Sequence, residues 1–324
     1  MLQHISFKPS IGKIAAGLLA LASLVVVEHM FKQAGLWLFL GLSLSTGFFH
    51  GALDILMLQR EFPQLRRLIG MLLLYLLSAV AVATLCVLSG KLMVMLLLSM
   101  SVWHFGEPYG RWANAVVVKR LIVGGAPVML PALVSAHELN NILPLVVGGD
   151  AAWVSMAWQT LAWAWLGLCG LSLVVLRQDV LRQQVLNEVG AVLVLNLALS
   201  PMAAFALYFG LFHAVEHMQR VELNAAKPAF KQPFSSDSQS NHRIWGRITF
   251  MPLLLTCVAT AALLFGLVYY LWLGLNEHSG QVVQGVDQSV LLSAVLIGLT
   301  ALTFPHLILV SRCSGWLANK PAKT

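Results

Sequence analysis

The sequence predicts an all-α fold, a polytopic helical bundle that crosses a membrane about ten times and has both termini in the cytoplasm. Three observations predict it. The 324-residue chain is 59% hydrophobic, it is only 10% charged, and its mean hydropathy is +0.81. Soluble domains carry about 25% charged residues. We therefore interpret residues 1–324 as a single integral membrane domain of a multi-pass protein of the cell inner membrane.

A helix needs about 20 mostly apolar residues to cross a bilayer. The apolar runs predict helices at 11–27, 36–58, 68–88, 92–107, 115–135, 151–176, 186–199, 201–219, 247–273 and 289–311. The runs at 92–107 and 186–199 are short, so whether they span fully is left open. Ser200 and Pro201 predict a break, because proline suits a helix start and disrupts a helix interior. The first run lacks a small-residue cleavage site and is interpreted as an uncleaved helix.

The distribution of charge predicts the orientation. With ten spans, one side of the membrane receives the basic loops, and the positive-inside rule makes that side cytoplasmic. This side includes a polar loop at 220–246, and such scattered loops account for the net charge of +7 without a nucleic-acid surface. The basic side holds Lys8, Lys13, Arg60, Arg66, Arg67, Arg111, Lys119, Arg120, Arg177, Arg182, Arg220, Lys227, Lys231, Arg243, Arg247, Arg312, Lys320 and Lys323. The opposite side holds Glu28, Lys32, Lys91, Glu138, Asp150, Glu277 and Asp287.

Two histidines four residues apart, His213 and His217, mark the strongest candidate site. On a helix this spacing puts both imidazoles on one face, about one turn apart, where they can hold one metal ion. The alternative is a pair of core histidines bonded to each other or to carbonyls. The segment is apolar enough for a bilayer, where an ionisable side chain is costly and usually functional.

Three further histidines are predicted at the same depth, in the cytoplasmic third of the bilayer. They are His50, His104 and His306, which lie near the cytoplasmic ends of their predicted helices. Five histidines from four helices therefore converge on one level. The other five fall in predicted loops or termini and are interpreted as surface residues: His4, His29, His137, His242 and His278.

Carboxylates follow three of the buried histidines. Asp54 comes four residues after His50, and Glu107 comes three after His104. A metal-bound imidazole usually donates its other N–H to a carboxylate or carbonyl, so both are candidate supports for the ligands. They are equally candidates for helix-end groups that reach water or basic loops. Glu216, three after His213, has the weaker claim. Imidazole ligands allow zinc, copper, iron or nickel, and no cysteine stands near enough to favour a thiolate zinc site.

These residues lie in four motifs, HGALD (50–54), SVWHFGE (101–107), YFGLFHAVEHM (208–218) and LTFPHLILV (302–310). In order and spacing the motifs resemble the Brp/Blh-type membrane β-carotene dioxygenases, which make retinal for microbial rhodopsins. The resemblance implies a polytopic enzyme that uses one iron(II) and dioxygen to cleave β-carotene centrally into two all-trans-retinal. It implies His50, His104, His213 and His217 as ligands, and it does not count His306 among them. Ala214 and Glu216 depart from the family pattern without touching a ligand.

Aromatic residues flank the ligands in the sequence. Trp103, Phe105, Phe209 and Phe212 are candidates to line an apolar pocket open to lipid, which would suit a polyene that dissolves in hydrocarbon. Tyr208 is the candidate catalytic residue, because a buried hydroxyl needs a polar partner and this one could approach an oxygen ligand of iron.

Two other function classes compete. A transporter or channel could use intramembrane histidines as a proton or metal relay, but such proteins often show repeats and broken helices at the midplane, and no repeat is present. A haem-binding electron carrier could use paired histidines, although axial ligands from separate helices fit it better than the spacing of His213 and His217.

Overall fold

The computed structural model describes residues 11–31, 33–107, 116–175, 179–225 and 288–317. Throughout these residues the regular elements are helices and none is a strand, which confirms the all-α prediction. In chain order they are α1 (Ile11–Met30), α2 (Ala34–Glu61), α3 (Leu65–Leu88), α4 (Gly90–Phe105), α5 (Val116–Val134), α6 (Ala136–Val147), α7 (Ala152–Val175), α8 (Asp179–Ala198), α9 (201–225) and α10 (Gln288–Leu317). The predicted helix at 247–273 lies outside the described residues.

Five of these helices are long and apolar enough to cross a membrane: α2, α3, α5, α7 and α10. The outer face of α3 is apolar: Leu73, Leu74 and Leu77 are each more than half exposed. A soluble protein rarely exposes so continuous an apolar face, whereas lipid covers one at no cost. The run α4 has only 16 residues, which agrees with its predicted shortness. The number of ten spans and the cytoplasmic termini stay predictions.

The packing centres on α4, α5 and α10. Helix α10 packs against α3 and α4, α4 packs against α5, and α5 packs in turn against α7 and α8. Helix α9 packs along α2 and closes the other side of the bundle. The large apolar core lies where these helices meet, and the histidine-bearing segments of α2, α4, α9 and α10 border it.

The break before α9 is confirmed, and its capping explains it. Ser200 is the N-cap, its Oγ accepts a hydrogen bond from the backbone N–H of Ala203, and Pro201 is the first helical residue. Glu28 of α1 accepts hydrogen bonds from Ser200 N (2.9 Å) and Ser200 Oγ (2.5 Å). A carboxylate at a helix start is favoured by the helix dipole, so Glu28 also ties α1 to α9.

One described helix was not predicted. Helix α6 lies between the predicted helices 115–135 and 151–176, and its 12 residues are too few to cross a bilayer. Leu139, Leu143 and Val146 are buried at helical spacing, so α6 is held by one apolar face. It ends at Gly148, whose φ of 73° is the left-handed conformation that glycine adopts most easily.

Helix ends differ from the predicted bounds at several other places. Helix α8 begins at Asp179 rather than 186, and α9 continues to Ala225, into the predicted polar loop 220–246. The rest of that loop lies outside the described residues. His29 and His137 lie in α1 and α6, so their placement in loops was wrong, although both side chains are exposed. His4, His242 and His278 lie outside the described residues.

Candidate metal centre

His50 follows a π-helical segment within α2. The helix changes from α to π at Ser43–Gly47 and returns to α before His50. A π segment accommodates one extra residue and changes the direction of the side chains that follow, and such segments are frequent at functional sites. Thr46 Oγ1 donates a hydrogen bond to the carbonyl of Leu42 at 3.1 Å, which satisfies an acceptor where the helix widens. His50 is 4% exposed.

A second π segment, in α9, ends at His213, and His217 follows it by one turn. This segment is Tyr208–His213, and regular α-helix resumes at Ala214. The four-residue spacing therefore spans mostly regular helix, and both imidazoles are buried on the inner face. Glu216 between them is exposed and points away from that face.

The two π segments pack directly against each other, and two glycines permit it. A Cβ on Gly47 would lie 2.6 Å from Cε1 of Phe209, and one on Gly210 would lie 2.8 Å from Oγ1 of Thr46. Both distances are shorter than real Cβ contacts allow. Glycine at these positions lets α2 and α9 approach closely enough for His50 and His213 to come within ring contact, at 5.3 Å between centroids.

His104 comes from the last turn of α4, where another pair of glycines brings two helices together. A Cβ on Gly106 would overlap the carbonyl oxygen of Arg120, and a Cβ on Gly124 would overlap the carbonyl oxygen of Val102. Small residues permit such close helix contacts in membrane proteins generally. The contact fixes the end of α4 against α5 and holds His104 in the interior, 4% exposed.

His306 comes from α10, and a buried carboxylate lies behind its ring. Its Nδ1 lies 2.7 Å from Oδ1 of Asp54, and Asp54 Oδ2 accepts a hydrogen bond from the hydroxyl of Tyr75 at 2.7 Å. Asp54 is 3% exposed. A buried carboxylate needs such partners, because an isolated charge in an apolar interior is strongly unfavourable.

The five imidazoles form one buried cluster. His213 Nε2 lies 2.9 Å from His104 Nε2, and His50 Nε2 lies 3.2 Å from His306 Nε2. The ring of His217 is 4.4 Å from that of His50, between centroids. Two overlapping sets of three have ligand atoms within 4.8 Å of one another, namely His50, His104 and His213, and His50, His217 and His306. The histidines that the sequence brought to one level thus come together in space.

The donor set fits a transition-metal ion. Two imidazole nitrogens that bind one ion at about 2.1 Å and at right angles lie about 3 Å apart. The two nitrogen pairs have nearly this separation, and neutral imidazole suits zinc, copper, iron or nickel. The Nδ1 atoms of His50 and His104 are buried and have no hydrogen-bond partner. Their Nε2 atoms are the ones that face the cluster, so the fit to a metal ion rests on the type of donor and on the separation of these nitrogens.

An apolar cavity of about 120 Å³ reaches the cluster. His50, His104 and His306 form one part of its wall, and the remaining wall is mostly apolar, including Phe105 and Phe209. A second apolar cavity of about 130 Å³ shares Leu97, Ser101 and Phe205 with the first. The two cavities are therefore adjacent, and the histidines line the first of them.

The predicted aromatic residues divide into two groups. Phe105 and Phe209 line the cavity and contact the histidines, with Phe105 4.7 Å from His213 and Phe209 6.1 Å from His50, between ring centroids. Trp103 and Phe212 are exposed, at 37% and 59%, and are not among the lining residues of the first cavity. The guanidinium of Arg120 lies 4.1 Å from the Trp103 ring centroid, a cation–π contact. A substrate-contacting role for each of the four stays a prediction.

The remaining predicted site residues are Tyr208, Asp54 and Glu107. The ring of Tyr208 lies 5.3 Å from Phe105 and 6.5 Å from His213, between centroids, and it does not line the first cavity. Its catalytic role stays a prediction. Asp54 supports His306 rather than His50, the histidine that precedes it in its own helix. Glu107 is buried at the end of α4.

Sequence reasoning missed Tyr75 altogether. It lies in α3, 21 residues after Asp54 and far from any histidine motif, and no pattern around it distinguishes it from a packing residue. The hydroxyl of Tyr75 reaches the carboxylate only because α3 packs against the last part of α2, which begins at Asp54.

Comparison with known proteins supplies one match. A family model described as beta-carotene 15,15'-dioxygenase matches residues 41–313, a range that includes all five clustered histidines. No curated protein and no solved structure matches the chain significantly.

Proposed function

Because the chain belongs to the beta-carotene 15,15'-dioxygenase family, we propose that it is an iron(II)-dependent enzyme that cleaves the central double bond of β-carotene within the membrane. Dioxygen is the second substrate, one oxygen atom enters each half of the polyene, and the products are two molecules of all-trans-retinal. The family membership implies a carotenoid dioxygenase. The buried histidine cluster beside an apolar cavity is the observation that supports a metal centre and the position of the reaction, and the choice of iron follows from the resemblance.

We assign the metal to His50, His104, His213 and His217, as the resemblance implies. These side chains are buried, belong to three helices, and have ring centroids between 4.4 and 5.8 Å for the pairs that include His50. When bound, iron(II) would supply the activation of dioxygen, which protein side chains cannot perform alone. The chain's own task is to hold the ligands, to bind the polyene and to exclude water.

Phe105 and Phe209 suit the binding of the polyene. They line the apolar cavity beside the histidines, and their rings offer a polyene dispersion and hydrophobic contacts. Few polar side chains line the cavity, so a bound hydrocarbon would leave few polar groups without hydrogen bonds. The exposed apolar exterior of α3 supports entry of the substrate from lipid, where carotenoids dissolve.

We further propose that the protein is a multi-pass protein of the inner membrane with both termini cytoplasmic, and that its retinal serves a microbial rhodopsin. Five apolar helices of spanning length support the membrane location. The rhodopsin link follows from the resemblance alone.

Expression of the chain in cells that make β-carotene tests the reaction. We expect the orange colour to fade while all-trans-retinal accumulates, as measured by chromatography of extracted pigments. The matched control is His29→Ala, which removes an exposed histidine far from the cluster and should retain activity. Unchanged carotenoid in cells that hold folded, iron-loaded protein would rule the proposal out. Metal uptake into proteoliposomes would instead favour a transporter.

A further inference from the structure

His306 is the fifth member of the cluster, and the family resemblance gives it no role at the metal. Its ring is nevertheless central. Its centroid is 4.7 Å from those of His50 and His104 and 5.3 Å from that of His217. Its Nε2 faces the cluster at 3.2 Å from Nε2 of His50. By position alone His306 belongs to the set that would surround an ion.

The support behind His306 is of the kind that metal-bound histidines have. Metal ligands almost always donate their second ring N–H to a carboxylate, a carbonyl or water, which fixes the tautomer and makes the ligand more basic. His306 Nδ1 has such a partner in Asp54 at 2.7 Å. The Nδ1 atoms of His50 and His104 have none.

Asp54 is itself held in place. Tyr75 donates its hydroxyl to Oδ2 at 2.7 Å, and this leaves Oδ1 for His306. With the proton on Nδ1 directed at Oδ1, the lone pair of Nε2 points toward the cluster. Three helices contribute to this chain of contacts, with Tyr75 on α3, Asp54 on α2 and His306 on α10, so the ring orientation is set by the packing of the bundle.

We propose that His306 binds the same metal ion through Nε2, and that Asp54 and Tyr75 are positioning residues that orient its ring. The proposal rests on the proposed function only in taking the cluster as a site for a divalent metal. It does not depend on which bond of which substrate is cleaved. The competing explanation is structural: His306 joins Asp54 to His50 by hydrogen bonds and never touches the metal.

Titration of the purified, metal-free full-length protein in detergent with Co²⁺ distinguishes the two explanations. The visible absorption of bound Co²⁺ reports the number and geometry of its ligands, and its increase gives the affinity. For His306→Ala we expect a changed spectrum and an affinity at least about 10-fold lower than wild type, because a ligand is lost. Added imidazole should restore the wild-type spectrum by occupying the vacated space. An unchanged spectrum and affinity would overturn the proposal.

Two further variants test the positioning residues. Asp54→Asn removes the charge behind His306 and should weaken Co²⁺ binding about 10- to 100-fold. Tyr75→Phe removes only the hydrogen bond to Asp54 and should weaken binding less. Because His306 is retained in both, each variant saturated with Co²⁺ should show nearly the wild-type spectrum. Wild-type affinity in Asp54→Asn would contradict its positioning role.

The controls separate this inference from misfolding and from the proposed reaction. His137→Ala removes an exposed histidine of α6 and should leave Co²⁺ binding unchanged. If His306→Ala does not fold, His306→Gln keeps most of the volume and should give the same altered spectrum. Wild-type protein that binds Co²⁺ but yields no retinal in cells would refute the reaction and leave the ligand assignment standing. Retinal production together with an unaltered His306→Ala spectrum would do the opposite.

Discussion

Two kinds of helix bring histidines to the cluster, and they differ in how they do so. Helices α2 and α9 each carry a π segment, which ends three residues before His50 in α2 and at His213 itself in α9, and glycine at 47 and 210 lets the two segments touch. Helices α4 and α10 carry no π segment at theirs, although Pro305 removes one backbone donor just before His306, and they rely on neighbours, with α5 behind His104 and Asp54 behind His306. The first pair aims its side chains by altering the helix. The second pair aims them by tertiary contact.

The difference teaches where each half is vulnerable. A π segment is rare and occurs mostly as a short bulge inside an α-helix. We therefore expect it to need support from the surrounding packing and from side-chain hydrogen bonds. Helices α4 and α10 have no π segment to support, but a small shift of a neighbouring helix would move His104 or His306. Substitutions in each pair of helices therefore test the comparison. The first ones remove a histidine from each pair.

Removal of one histidine from either half should have the largest effect. For His213→Ala in α9 and His104→Ala in α4, we expect retinal formation to fall by at least about 100-fold. Loss of a supporting residue costs roughly 10- to 100-fold, and loss of a ligand should cost more. Bound iron, measured by elemental analysis of purified protein, should fall in both. Full activity and unchanged bound iron in either variant would remove that histidine from the ligand set.

The contact behind His104 should rank next. In Gly124→Ala the added methyl group would overlap the backbone of Val102 and of Gly106, and backbone atoms cannot rotate away. We expect destabilisation of about 3 kcal/mol from overpacking, and about 100-fold lower activity if the end of α4 moves by about 1 Å. The measurements are the thermal unfolding midpoint in detergent and retinal formation.

Gly170→Ala in α7 is the matched control for that change. No atom lies within 4 Å of its added methyl group, so it should leave stability equal or slightly higher, because alanine favours helix over glycine by up to about 1 kcal/mol. Equal behaviour of the two variants would mean that the close contact between α4 and α5 is not required.

The contact between the π segments should give a smaller loss. In Gly210→Ala the methyl group meets Oγ1 of Thr46 at 2.8 Å and Cβ of Leu42 at 2.9 Å, and of these two atoms only the Thr46 hydroxyl can rotate away. We expect destabilisation of about 1 to 2 kcal/mol and a partial loss of activity. Gly41→Ala, with nothing within 4 Å, is the control in the regular part of α2. A fully stable, fully active Gly210→Ala would remove the requirement for close approach.

The hydroxyl within the first π segment should matter least. Thr46→Val removes the hydrogen bond to the carbonyl of Leu42, and a lost hydrogen bond of this kind costs about 1 kcal/mol. Thr84→Val removes the same type of bond, to Val80, from the regular helix α3. If π geometry needs side-chain support, Thr46→Val should lower the unfolding midpoint more than Thr84→Val. Equal shifts would show that it does not.

Much of the cluster was predictable because the bilayer makes polar residues conspicuous. An apolar run permits few histidines, so the level shared by His50, His104, His213, His217 and His306 was visible in the sequence once the loops were placed. The family match and the buried cluster agree with that prediction at the level of a carotenoid dioxygenase family and of histidines that could hold a metal ion. The short helix α6 was not predicted, because 12 residues with one apolar face do not form an apolar run of spanning length.

The sequence by itself determined the helical fold, the break at Pro201 and the histidines that could meet, because hydropathy, proline and side-chain chemistry act locally along the chain. Only the tertiary structure decided that Asp54 supports His306 instead of His50, that Tyr75 stands behind Asp54, and that Gly47 and Gly210 join two π segments. These features depend on which helices lie side by side and on how closely they approach. Spacing within one helix carries no information about either.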